Sequence, residues 1–593
     1  MRNAARIGPT CSLVILLTLG ACATRPVALP QVAKGNWQAV GQYLDQRVER
    51  EMNRWHVQGV SVAVVDDQRV MVAKGYGLAG DEPSSAATSA SLYRAGSISK
   101  LLTATEVMRR VRAGEIALDA PLQAQLPGFR IQNRFGATHP VTVRALLAHH
   151  SGLPSDLLCG MWLDHPASLK ALQASLAQEW LAAPPQTQYR YSNLDYSLLG
   201  RLIEVKSGES FSSAMDHGVL HLLGMRHSHF EATAEIAGPH ATPHRDGQAV
   251  DPAGLRDSPA GGLVTSADDL ARFLSALFAG GAPALDQHGV NAMLSPQYRG
   301  IPLDFGQEVG LGWMLSGVEV PGTRSVAWHT GEYPGYASAI LMSPADKIGV
   351  VVLTNDENGK KFALDVAKKA LELAIAAKTG VIPSDGAQDA GSKSPVDIGA
   401  ARLDALAGNY VVMDNLSRFS RQGTQLSAGL FGTTFDLVPV SADRFLVKKS
   451  FLGFLTFPLR DLSIEFVEAD QRHFAVLRGL PNPLPFERLV PRPIPAAWRK
   501  RLGTYVAMNS DNNMSFGKFE LAVEDGVLVA KTRISSQVWG THDAPARIPL
   551  IPFSDSGAAV AGTNGLAGSV VHATSCARVE GLRYSGYLFC RER

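Results

Sequence analysis

The first stretch of this chain whose residue types and spacing can do chemistry is Ser97-Ile98-Ser99-Lys100. It opens an amphipathic run through Leu101, Leu102, Met108 and Val111 that closes at Gly114. At a helix start, positions i and i+3 share a face, so the Ser97 hydroxyl and the Lys100 amine can meet. A serine is a poor nucleophile until its proton has somewhere to go, and a partly desolvated lysine can have its pKa pulled below the free value of about 10.4. Amides at the helix N-terminus lend partial positive charge where an oxyanion would develop. Alone the pattern is weak, because a chain of this length yields roughly one by chance. A helix-capping serine followed by a solvated lysine is the plain alternative.

Two more motifs follow in order. Tyr191-Ser192-Asn193 precedes an apolar helical run (Leu194, Leu198, Leu199, Leu202, Ile203), and His329-Thr330-Gly331 precedes a strand-like segment, Ala337–Met342. Ser97 and Tyr191 are 94 residues apart, and Tyr191 and His329 are 138 apart. With this order the three motifs resemble the active-site signatures of the penicillin-recognising serine hydrolases: class C β-lactamases, D-aminopeptidases and their esterase relatives. Leu146–Pro154, Leu223-Gly224-Met225, Pro259–Leu263 and Ser266–Leu270 agree with the resemblance, which covers roughly residues 37–378.

The resemblance implies Ser97 as nucleophile, with Lys100 and Tyr191 handling its proton; which of the two is the base stays open. It implies that Asn193 orients Lys100 and the substrate amide, that His329, Thr330 and Gly331 bind substrate, and that the backbone N–H groups of Ser97 and Glu332 form the oxyanion hole. No cofactor or metal is implied. His329 departs from the lysine usual in β-lactamases: histidine is mostly neutral at pH 7, and Glu332 adds negative charge. Both changes point away from a dedicated β-lactamase and towards the peptidase and esterase side, whose D-aminopeptidases also carry C-terminal β-barrels.

Positioning these residues requires a particular scaffold. Trp37–Trp55 has helical periodicity, Val60/Val62/Val64 and Val70/Val72 alternate about the turn Asp66-Asp67, and a matching pair, Ala337–Met342 and Ile348–Leu353, is followed by helical Phe362–Ala376. The two ends of the region can therefore share one antiparallel sheet covered by two helices, with a helical lobe beside it. The expected fold is α/β, a β-lactamase-like two-lobed domain over 37–378, then a Gly/Ser/Asp/Pro-rich linker, 379–399. Beyond it lie short β-like runs, read as barrel-like modules at 400–495 and 496–593. Leu403–Val412 and Trp498–Val506 form a weak repeat, in which Ala407-Gly408-Asn409-Tyr410 parallels Leu502-Gly503-Thr504-Tyr505. One barrel made of two halves fits the pattern equally.

Residues 1–21 read as a signal peptide: Arg2 and Arg6 precede a short apolar stretch ending in Leu19-Gly20-Ala21-Cys22, which resembles a bacterial lipobox. Cys22 would carry lipid, residues 22–36 would be a tether, and Ala23 in place of aspartate favours the outer membrane, facing the periplasm. Without Arg2 and Arg6 the chain has 54 basic and 54 acidic side chains, which leaves no bulk electrostatic case for nucleic acid. At 46% hydrophobic and 19% charged it is neither disordered nor polytopic.

In an oxidising compartment Cys576 and Cys590, flanking a hairpin with Gly581 or Gly586 near its turn, can form a disulfide, and Cys159 reads as a small buried hydrophobe. His217 and His221, with His227 and His229 close behind, read as a solvated helix face rather than a zinc site. The expected function is hydrolysis of peptide amide bonds through an acyl-enzyme on Ser97. The alternatives are a carboxylesterase, then a β-lactamase, then a binding scaffold without catalysis.

Overall fold

In the computed structural model the described residues are 32–592 apart from 83, 232–239, 252, 382–393, 414, 431–432, 452–454, 510, 512 and 578. The signal segment, Cys22 and most of the linker lie outside them. Among the described residues no helix is long and apolar enough to cross a membrane.

Helix α1 (Trp37–Trp55) begins at Asn36, whose side chain accepts from the Ala39 amide, and ends at His56 in the left-handed conformation. Strands β1 (Gly59–Asp66) and β2 (Arg69–Gly77) follow as a hairpin. The middle of the domain contains α2 (Ser99–Arg112) and α3 (Asn193–Ser207). Then come β3 (Ala327–Tyr333), β4 (Tyr336–Ser343), β5 (Ile348–Thr354) and α4 (Gly359–Thr379). The five strands form one antiparallel sheet in the order β2-β1-β5-β4-β3, so the two ends of the domain meet where β1 pairs with β5, Val62 opposite Val352.

Both faces of this sheet are covered. Val60, Val62, Val64, Val350 and Val352 pack into a core with α1 and α4, while Ala63, Val65, Val351 and Leu353 face a second core built with α2 and α3. Burial on both sides explains why β5 reads as a continuous apolar run instead of an alternating one. The expected tether is shorter than 22–36. Val32 is already buried in the α1–α4 core and the Gly35 amide bonds the Ala377 carbonyl, so residues 32–36 are pinned.

The tail forms two separate closed barrels, not one barrel of two halves. Eight antiparallel strands between Gly408 and Arg488 close the first. In the second, between Gly503 and Arg591, nine strands fill eight positions: Met514–Phe516 and Phe519–Glu524 pair with successive parts of one edge of Val527–Ser536, whose other edge closes on Thr541–Pro552.

Cys576 and Cys590 are disulfide-bonded, Cα atoms 5.8 Å apart. They lie on the outer strands of a three-stranded meander, not on the arms of one hairpin. Gly581 sits on the middle strand, where a Cβ would come within 2.7 Å of Cys576 Sγ. Cys159 is half-buried against the second barrel, not enclosed in a core. His217 is exposed beside Glu209, on a segment broken by the non-helical Gly218.

Candidate active site

Ser97 sits in a 3-10 turn, Gly96–Ile98, that leads directly into α2. The turn is tied from within: Ser99 Oγ donates to the Gly96 carbonyl at 2.6 Å and accepts from the Leu263 amide at 2.9 Å. Gly96 has φ +53°, and a Cβ there would fall 2.5 Å from the Glu332 nitrogen; a Cβ on Gly331 would fall 1.9 Å from the Ala95 carbonyl oxygen. Two missing side chains therefore let the serine turn lie in backbone contact with β3, which brings the peptide groups around Ser97 and Glu332 together.

Lys100, one helical turn on, is fully buried, its Nζ 2.8 Å from Asn193 Oδ1, 2.8 Å from the Ala260 carbonyl oxygen and 3.2 Å from Ser97 Oγ. Burial lowers its pKa to about 7, against the opposing pull of Asp156, Asp257 and Asp195. Tyr191 Oη donates to Ser97 Oγ at 2.7 Å, and burial raises its pKa, so the phenol keeps its proton at neutral pH. Lys100 Nζ lies 4.7 Å from the centre of the Tyr191 ring, and the centre of the His149 ring lies 4.5 Å from that of Tyr191.

Asn193, the first residue of α3, is anchored through Nδ2 to Asp156 Oδ1 at 2.8 Å. Asp156 faces the cleft; burial pushes its carboxyl up, and no cation pairs with it directly among the described residues. His329, on β3, is 3% exposed. Its Nδ1 lies 2.6 Å from the Thr330 carbonyl oxygen, an acceptor, so Nδ1 carries the proton and Nε2 presents a lone pair. That Nε2 has no partner among the described residues, and burial together with Lys100 lowers the pKa to about 4, so the ring is neutral. Glu332 is half-exposed at the rim, 2.8 Å from Lys360.

These groups line a cleft of about 670 Å³. Both barrels wall it: the first through its Pro-rich turn, Leu480 to Pro485, the second through Met514, Trp539, Asn564 and Gly565. The structure thus brings Ser97, Tyr191, Asn193, His329, Thr330 and Glu332 into one cleft, with Lys100 buried against Ser97 and Asn193 and Gly331 as the backbone contact behind the nucleophile. Sequence reasoning missed Asp156, the Ala260 carbonyl and the barrel residues. Asp156 lies two residues past the Leu146–Pro154 stretch and could have been flagged as a carboxylate in that neighbourhood; nothing local marks Trp539.

The Beta-lactamase family profile matches residues 44–375. Protein flp of Staphylococcus aureus is 24% identical over 325 residues, 53% of this chain and 63% of that protein. The unguisins hydrolase of Aspergillus campestris is 27% identical over 350 residues, 54% of this chain and 64% of that protein. The chain therefore spans less than two thirds of the length of these relatives. Among solved structures, SurE with D-Leu superposes with a TM-score of 0.55 at 24% identity, covering 76% of this chain and 100% of SurE.

Proposed function

Because the chain belongs to the beta-lactamase family and is a serine hydrolase, we propose that it works through an acyl-enzyme on Ser97 and cleaves amide bonds of short peptides. The observation that carries the chemistry is the surroundings of Lys100. A neutral amine has two N–H donors, and here two acceptor-only groups, Asn193 Oδ1 and the Ala260 carbonyl, take both. The remaining lone pair is left for the Ser97 hydroxyl, 3.2 Å away. Lys100 is then the base, and Tyr191, which holds its proton and touches Ser97 Oγ, relays a proton to the leaving amine. The Ser97 and Glu332 amides receive the oxyanion.

The substrate class follows from the unused polar groups. Asp156 and His329 Nε2 both offer lone pairs, so the cleft favours groups that bring hydrogens, such as a peptide N–H or an ammonium. A neutral His329 provides no cation for a substrate carboxylate, which disfavours β-lactams.

The test is a substrate panel on the full chain: D- and L-amino-acid anilides, a short p-nitrophenyl ester and a chromogenic cephalosporin, with fluorophosphonate labelling mapped to Ser97. Anilides should be preferred over the cephalosporin, and labelling should vanish in Ser97→Ala; labelling that survives overturns the assignment. An ester-only profile would favour the carboxylesterase reading. Since the reactive form of Lys100 is the neutral amine, kcat/KM should rise with pH through about 7, with no inflection from His329 above pH 5.

We also propose, from the sequence alone, that Cys22 is lipidated and tethers the enzyme to the outer membrane, facing the periplasm. Cys22→Ser should move the protein from the membrane to the soluble fraction.

A further inference from the structure

Arg190, the residue before Tyr191, is 3% exposed and has no carboxylate partner among the described residues. Its guanidinium reaches out of the catalytic domain into a loop of the second barrel. Nη1 donates to the Thr563 carbonyl, and Nη2 donates to the Ala567 carbonyl and, at 3.5 Å, to that of Gly565. Nε has no partner among the described residues, and burial pulls the group down to about 10. A cation taken out of water costs several kcal/mol unless dipoles replace the lost hydration, and here three converging carbonyls of another domain are what replaces it.

The same loop is held from a second side. Arg134 Nη2 donates to the carbonyls of Ala182, 3.1 Å, and Gly568, 3.2 Å. Gly568 has φ +79°, and a Cβ on it would fall 2.3 Å from the Ala182 carbonyl oxygen, so the two backbones touch. Asn564 and Gly565, in the loop that grips Arg190, line the cleft. On its inner side the Arg190 segment is anchored within the catalytic domain: the Arg190 amide bonds the His149 carbonyl at 2.8 Å, the Ser192 amide bonds His149 Nδ1 at 3.2 Å, and Ser192 Oγ donates to the Pro154 carbonyl at 2.7 Å. Tyr191 therefore lies between these anchors within the domain, to His149 and to Pro154–Asp156, and the barrel loop that Arg190 grips outside it.

We infer that Arg190 is a positioning residue: by clamping the Thr563–Ala567 loop of the second barrel it sets the placement of the Tyr191 phenol on Ser97 and makes that barrel a working part of the active site. This rests on the acyl-enzyme reading of Ser97 above. An arginine is required because a lysine offers one compact ammonium where three separate carbonyls must be reached. Arg190 borders the same cleft as Ser97, but among the described residues its guanidinium donates to the loop carbonyls and to neither Ser97 nor Tyr191; the effect passes through one peptide unit to Tyr191.

The experiment uses the full-length chain with Arg190→Met and Arg190→Lys, and approaches the seam from the barrel side with Gly568→Ala. Two readouts are followed from pH 5 to 10: the rate of fluorophosphonate labelling of Ser97, and kcat and KM for p-nitrophenyl acetate. Misplacing a catalytic group by about 1 Å costs on the order of a hundredfold in rate. In Arg190→Met we expect labelling and kcat to fall together by about tenfold or more, KM to change little and the pH profile to shift. Arg190→Lys should recover part of the rate, and Gly568→Ala should give the same signature more weakly.

A residue that only stabilises the seam would lower the melting temperature and leave labelling rate, kcat and pH profile of the folded fraction native; that result overturns the inference. Should Arg190→Met not fold, Gly568→Ala and Arg190→Lys decide in the same way. Absence of Ser97 labelling in the native chain is a different result: it removes the acyl-enzyme reading and this inference with it.

Discussion

The two barrels share a local design to the level of single hydrogen bonds, yet they relate to the catalytic domain differently. In the first, Tyr410 Oη donates to the Leu406 carbonyl at 2.9 Å, and Arg488 donates to the carbonyls of Ala405 and Ala407. In the second, Tyr505 Oη donates to the Arg501 carbonyl at 2.9 Å, and Arg591 donates to those of Lys500 and Leu502. Each arginine comes from the barrel's last strand and ties down the short helix that leads into the first. Each lies against a glycine, Gly408 or Gly503.

The barrels part company at their outer surfaces. The first leans on the catalytic domain: Phe474 packs on Phe305 with ring centres 4.9 Å apart, Arg478 bonds the Phe305 carbonyl, and the Leu480–Pro485 turn borders the cleft. The second is threaded into it. Arg190, Arg134 and Arg245 of the catalytic domain all end on its carbonyls, and Leu158 and Cys159 donate from their amides to Ser585. Val538, at a barrel hairpin tip, is buried within the catalytic core itself. One architecture thus serves once as a wall and once as a structural member, and the difference lies in a few loop residues, not in the strands.

Removing the second barrel should have the largest effect. A chain ending at Arg492 would leave the Arg190 guanidinium without its carbonyls and open the socket that Val538 fills. We expect Ser97 labelling to drop by more than about a hundredfold, on the scale of a misplaced catalytic group. Labelling at the native rate would show that the barrel is dispensable for the site and would overturn its role as a structural member. Val538→Asp in the full chain is the finer version. It forces a carboxylate into an apolar socket without a partner, a cost of about 3–5 kcal/mol, and should lower the melting temperature of the catalytic domain together with that of the second barrel.

How much of this was legible in the sequence follows from where the constraints lie. The sheet and its flanking helices were readable because burial on two faces leaves continuous apolar runs such as Ile348–Thr354, bounded by turns and caps that name themselves. The barrel repeat was visible at Gly408 and Tyr410 because a glycine facing an arginine and a tyrosine reaching back four residues need those types. Ser97, Lys100, Tyr191 and His329 were visible as motifs, but the tautomer of His329 was not, since it depends on the carbonyl that Nδ1 meets. Arg190 was passed over because its partners are backbone carbonyls nearly four hundred positions away, and a carbonyl leaves no trace in residue type.

A milder change tests the first barrel as a wall. Leu480→Ala with Leu484→Ala shortens two apolar side chains that border the cleft without touching Ser97 or Tyr191. KM for p-nitrophenyl hexanoate should rise several-fold relative to that for the acetate, in line with about 1–3 kcal/mol of discrimination per methylene-sized contact in an apolar pocket. An equal change for both esters would mean that the turn positions the domain and does not read the substrate.

The smallest expected effect separates the two roles most cleanly, because it makes the same chemical change in both barrels. Tyr410→Phe and Tyr505→Phe each delete one hydroxyl that donates to a carbonyl four residues back at 2.9 Å; the Tyr505 hydroxyl also lies 3.4 Å from Glu580 Oε2, a longer and weaker contact. The loss of such a bond costs about 0.5–1.5 kcal/mol, so intrinsically the two variants should differ little. Their consequences should differ because of what each barrel is attached to. The first barrel lies against the catalytic domain around Phe305 and where Pro481 meets Gly317, with none of its residues inside the catalytic core, so Tyr410→Phe should lower the unfolding transition of that barrel and leave the catalytic transition in place. The second shares Val538 and the Arg190 clamp with the catalytic domain, so Tyr505→Phe should move both transitions down together by about 2–4 °C. Calorimetry with Ser97 labelling followed along the same temperature ramp reads this directly. If Tyr410→Phe also brings down the temperature at which labelling is lost, the first barrel is coupled to the site as tightly as the second, and the contrast between wall and structural member fails.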